Sequence, residues 1–74
     1  MTYRDYLQLF IASDSLIGDL ARDAFREPAW KGTTARGLRV HIARRSRNPH
    51  PGAIKAWKIS KIAYEHTKQL LDNN

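Results

Sequence analysis

The sequence predicts an all-α, single-domain protein, a compact bundle of four helices at about 3–12, 16–27, 35–46 and 52–71. Three observations carry this. A chain of 74 residues has room for one small core and no second lobe. Apolar residues recur at three- and four-residue spacing through most of it. Helix-start residues and prolines divide it at intervals that suit helices joined by short connectors.

Thr2, followed three residues later by Asp5, has the form of a cap opening the first helix, whose apolar positions are Tyr3, Tyr6, Leu7, Phe10 and Ile11. Ser13-Asp14-Ser15 interrupts that pattern and offers N-caps for the second helix. There Ile17, Leu20, Ala21, Ala24 and Phe25 form the clearest apolar stripe in the chain. Pro28 closes it, because the residue before a proline avoids the helical region. Pro28 to Thr34 is a connector, with Trp30 expected to fold back over the core.

Residues 35–46 carry two patterns. Leu38, Val40 and Ile42 alternate with Arg39 and His41 as in a half-buried strand. A helix capped by Thr33 or Thr34 instead places Ala35, Leu38 and Ile42 inward and Arg36, Val40, Arg44 and Arg47 outward. Gly37 costs that helix about 1 kcal/mol relative to alanine. A lone strand among helices has no partner for its backbone groups, so helix is favoured. After a turn containing Pro49 and Pro51, residues 52–71 form a long amphipathic helix. Ala53, Ala56, Trp57, Ile59, Ala63, Tyr64, Leu70 and Leu71 share one broad face, and Lys55, Lys58, Lys61, Glu65 and Lys68 take the other. Ile54 and Ile62 fit neither.

Charge divides the chain in two. Residues 1–30 hold three arginines against five carboxylates, a net of −2, and residues 31–74 hold ten Lys or Arg against Glu65 and Asp72, a net of +8. Five arginines, Arg36, Arg39, Arg44, Arg45 and Arg47, stand within twelve residues. A one-sided concentration of charge creates a field that a polyanion feels. Cysteine is absent, which excludes disulfides, thiolate zinc sites and cysteine nucleophiles, and the simplest address is cytoplasmic. No apolar run approaches the ~20 residues that span a bilayer. His41, His50 and His66 lack ligand spacing, so no metal or other cofactor is expected. Asp19 and Asp23 interleave with Arg22 and Arg26 as an ion-paired exposed face, and no nucleophile motif or glycine-rich phosphate loop accompanies them. The chain does not read as an enzyme.

The order of these pieces resembles the YozE family of small bacterial and phage proteins. The matching residues are Tyr3, Tyr6 and Leu7, then Gly18-Asp19-Leu20-Ala21-Arg22-Asp23-Ala24-Phe25, then Pro28-Ala29-Trp30, Leu38 with His41-Ile42, and Ala56-Trp57. The resemblance spans most of the chain and implies a fold similar to the sterile alpha motif, an orthogonal four-helix bundle. It brings no established activity with it. Many members are acidic on the third helix, where this chain has arginines, and Ala43 stands where a glutamate is common.

The expected function is therefore binding. The candidate site is Arg36, Arg39, Arg44, Arg45 and Arg47, extended by Lys55, Lys58 and Lys61 on the fourth helix, and the expected partner is nucleic acid, DNA first, held through its phosphates. An acidic protein surface is the alternative partner, and no membrane is expected. A helix-turn-helix is disfavoured, because Pro28 to Thr34 is too long for its 3–4-residue turn. Trp30 and Trp57 read as core residues before stacking platforms. Asp19, Asp23 and Glu27 sit where they would neutralise the arginines if the second helix faced the third, so the reading turns on whether folding separates the two signs.

Overall fold

The first helix begins where the Thr2–Asp5 pair predicts. A computed structural model describes residues 1–45, 48 and 50–72. In it α1 (Tyr3–Gln8) opens on a reciprocal cap: the Asp5 N–H donates to Thr2 Oγ1 at 3.1 Å, and the Thr2 N–H donates to the Asp5 carboxylate at 3.0 Å. The helix ends four residues before the expected limit. Beyond Gln8 the chain continues in tighter turns, with the N–H groups of Phe10, Ile11 and Ser13 donating to carbonyls three residues back. The carbonyls of Ile11 and Ser13 turn to the Arg22 guanidinium at 2.8 and 2.9 Å. Those bonds tie the turn to α2 (Leu16–Ala24), which Ser15 caps by accepting from the Gly18 N–H. Gly18 is buried because the carbonyls of Phe10 and Ser13 press against it, leaving no space for a Cβ.

α2 also stops short, at Ala24 rather than 27. The Ala24 carbonyl accepts from the Trp30 N–H at 2.8 Å, and the Asp23 carbonyl accepts from Arg45 at 3.1 Å. Two carbonyls that a longer helix would keep for itself are thus taken by residues distant in sequence. The connector folds Trp30 inward, as expected, edge-on to Tyr3 with ring centroids 6.0 Å apart. Arg4 braces it, donating to the Trp30 and Gly32 carbonyls and lying 4.8 Å from the centroid of the Phe25 ring.

The ambiguous segment is helix: α3 spans Ala35–Arg45, with Thr34 Oγ1 accepting from the Gly37 N–H at 3.0 Å. Leu38 is fully buried and Ala35 and Ile42 pack against the core, the inward set that helical spacing predicts. α4 spans Pro51–Asp72. Pro51 occupies its first position, where the missing N–H is no loss, and His50 Nδ1 accepts from the Gly52 N–H at 3.0 Å. Among the described residues there is no strand, and four helices enclose one core.

The face of α4 differs from the expected one. Ala56 and Ser60 lie at its buried centre, Trp57 and Tyr64 pack beside them, and Ile59, Leu70 and Leu71 are exposed. Ser60 can be central because its hydroxyl is satisfied twice, by Tyr3 at 2.6 Å and by the Trp57 carbonyl at 2.8 Å. Periodicity spreads the expected face from Ala53 to Leu71 and includes Ile59, Leu70 and Leu71. Packing centres it on a small polar residue that admits Tyr3.

Candidate functional site

The helix that carries the arginines and the helix that carries the lysines are joined by one side-chain hydrogen bond among the described residues. The Trp57 indole N–H donates to the Ala35 carbonyl at 2.8 Å, holding the start of α3 against the second turn of α4. Arg39 is one turn beyond Ala35, and Arg36 begins the outward face of α3. On α4, Lys61 lies one turn beyond Trp57, with Nζ 5.7 Å from the centre of its ring, and Lys58 is three residues before Lys61. The Trp57–Ala35 bond thus joins the two helices that carry Arg36, Arg39, Lys58 and Lys61.

The other predicted residues separate. Arg44 is exposed at the far end of the outward face of α3, in line with Arg36 and Val40. Arg45 turns to the opposite side and binds the Asp23 carbonyl of α2. Lys55 stands in line with Ile59, on the flank of α4 away from Trp57. Arg47 lies outside the described residues. The sequence placed eight cations in one set because they are close along the chain, whereas the helical rotation between successive residues sends them to different sides.

The carboxylates of α2 are occupied by arginines three residues away. Asp19 pairs with Arg22, and Asp23 pairs with Arg26 at 3.4 Å, as the interleaved spacing predicts. Asp23 does border the cleft that Arg45 enters, yet its carboxylate goes to Arg26 and only its backbone carbonyl to Arg45. Of the predicted site residues that the structure describes, Lys61 has an ion pair, an exposed one to Glu65 at 3.9 Å. Exposed pairs of this kind contribute well under about 1 kcal/mol. Arg36, Arg39, Arg44, Lys55 and Lys58 pair with no carboxylate among the described residues.

Sequence reasoning did not find the cleft itself. A cavity of about 320 Å³ opens between α2, α3 and the start of α4, with Leu20, Ala24, Leu38 and Ile42 as its apolar wall and His41 and Arg45 at its edge. His41 Nε2 is shut off from solvent without a hydrogen-bond partner. Burial, and then the nearby Arg45 charge, hold the imidazole below the ordinary histidine range. The two remaining histidines are separate from it in role: His50 caps α4 and His66 is exposed on α4. Among the described residues no helix is long and apolar enough to cross a membrane.

No protein-family model, curated protein or solved structure matches this chain. Of the residues that carry the YozE resemblance, Tyr3, Tyr6, Leu7, Leu20, Ala21, Ala24, Trp30, Leu38 and Ala56 are buried, and Phe25, Ile42 and Trp57 pack against the core.

Proposed function

We propose that this protein is a non-enzymatic binding module that holds nucleic-acid phosphates on the α3–α4 seam through Arg36, Arg39, Lys58 and Lys61, with Arg44 extending the contact. The observation that supports this reading is the separation of charge. Asp19 and Asp23 of α2 pair with Arg22 and Arg26, close by in sequence, which leaves the cations of the seam available to an external anion. Arginine suits the role because its planar fork grips phosphate oxygens in pairs. Binding by such a surface is driven by counterion release and is indifferent to base sequence. The YozE resemblance belongs to the same proposal and concerns the core, so it adds kinship without chemistry.

The test is binding to a random-sequence DNA duplex over a salt series. If about four phosphates are engaged, log affinity falls against log salt with a slope near −3.6. Removing Arg36 and Arg39 together weakens binding to every sequence alike and makes the slope shallower by about 1.8. Absence of binding at low salt, or a slope unmoved by the double substitution, refutes the reading. Val40, exposed between Arg36 and Arg44, is the one feature that favours an acidic protein partner on the same face. That alternative predicts a stoichiometric complex whose affinity survives nuclease treatment.

A further inference from the structure

α4 has a second apolar face. Its first, Ala53, Ala56, Trp57, Ser60 and Tyr64, packs into the bundle. On the solvent side Ile59 is 40% exposed, Ile62 67% and Leu70 56%. Ile59 and Ile62, with Lys55 before them and His66 after, occupy the alternating four- and three-residue spacing of a coiled-coil seam, and Leu70 flanks its far end. Leu16, also exposed, borders the groove beside Ala56 and carries the patch onto α2. The bundle buries none of these isoleucines fully, and nucleic acid has no use for them.

We infer that this face binds the same face of a second copy of the chain, with the two α4 helices antiparallel. The argument is self-complementarity of shape and charge. When Ile59 of one helix meets Ile62 of the other, the two-fold axis makes the reverse contact equivalent. In that register the residues flanking the seam on one edge are Lys58 and Glu65, and antiparallel geometry sets Lys58 of each chain opposite Glu65 of the other. On the opposite edge Ala63 is small enough to allow close approach. Both charged pairs and both isoleucine layers follow from one alignment. A parallel pairing would stack Lys55 on Lys55 and leave Lys58 and Glu65 facing alanine and leucine, so the charges select the antiparallel form. Glu65 is free to take part, since its present contact is the exposed one to Lys61. The inference goes beyond the nucleic-acid reading and shares only Lys58 with it.

Sedimentation velocity of the purified chain without nucleic acid tests the inference directly, with failure of the phosphate reading leaving the result untouched. The expected result is a concentration-dependent monomer–dimer equilibrium that Ile62→Glu abolishes while far-UV circular dichroism stays unchanged. Lys58→Glu and Glu65→Lys should each abolish dimerisation alone, by placing like charges opposite each other. Mixing these two variants should restore a dimer made of one chain of each kind, and the double variant should again dimerise with itself. A wild-type chain monomeric at about millimolar concentration, or a mixture of the two charge variants that stays monomeric, overturns the inference.

Discussion

Tyr3 and Ser60 are 57 positions apart, and both are buried, at 1% and 0% exposure. Their hydroxyls form a relay whose direction is fixed. Ser60 donates to the Trp57 carbonyl at 2.8 Å, so the Tyr3 hydroxyl is the donor in the 2.6 Å contact with Ser60 Oγ. Substituting the two ends therefore has unequal consequences. Tyr3→Phe removes one donor and leaves Ser60 bonded to the carbonyl, at a cost of about 0.5–1.5 kcal/mol. Ser60→Ala leaves the Tyr3 hydroxyl buried with no acceptor, at a cost of about 1–3 kcal/mol. Once Ser60 is gone, removing the stranded hydroxyl restores stability, so the double variant is less destabilised than the sum and can be more stable than Ser60→Ala alone. Urea unfolding of the four proteins gives the cycle, and each kcal/mol moves the melting temperature by roughly 4–8 °C in a domain this size. Additivity of the two substitutions, or a Tyr3→Phe penalty as large as that of Ser60→Ala, would refute the relay. A pH experiment reads the same contact. Burial raises the Tyr3 pKa, against the lowering effect of its bond to Ser60. The unfolded chain then loses this proton first, so stability falls as pH rises above about 10.

Three further outcomes are expected. Gly18→Ala drives a methyl group into the Phe10 and Ser13 carbonyls, which are backbone and cannot swing aside; the clash outweighs the gain in helix propensity and costs about 1–3 kcal/mol by denaturant unfolding. Arg22→Ala releases the Ile11 and Ser13 carbonyls and lowers stability by about 1 kcal/mol, with faster amide hydrogen exchange across residues 9–15 as the local readout. His41, held neutral by burial beside Arg45, makes the fold sensitive to acid: its contribution is fully present above the unfolded pKa of about 6.5 and is lost as pH falls below it. The drop in melting temperature between neutral and mildly acidic pH should therefore be smaller in His41→Leu than in the wild type.

Much of the fold was legible because local signals and tertiary packing agree. Thr2 and Asp5 cap α1 in the reciprocal form their spacing allows. The apolar stripe of α2 is the stripe that packs, and the absence of a partner strand decides the segment around Leu38 in favour of helix. The ends of α1 and α2 were not legible. They are set by Arg22, Trp30 and Arg45, which reach across the bundle to claim carbonyls that local propensity assigns to helix. The centre of α4 was misplaced for a related reason: a serine satisfied by a tyrosine 57 residues away is indistinguishable, by sequence spacing, from a solvent-facing serine.

The sequence by itself determined the helical architecture, most of the core and the concentration of positive charge in the second half, because each depends on residue type and near-neighbour spacing. Only the tertiary structure decided which cations share a surface. It joined α3 to α4 through the Trp57–Ala35 bond, turned Arg45 onto α2, and left Asp19 and Asp23 paired with Arg22 and Arg26. Charge falls off slowly enough that composition reveals its sign and amount. The contact of a side chain with phosphate, carboxylate or another helix is made over a few ångströms, and that is fixed by how the helices rotate and pack.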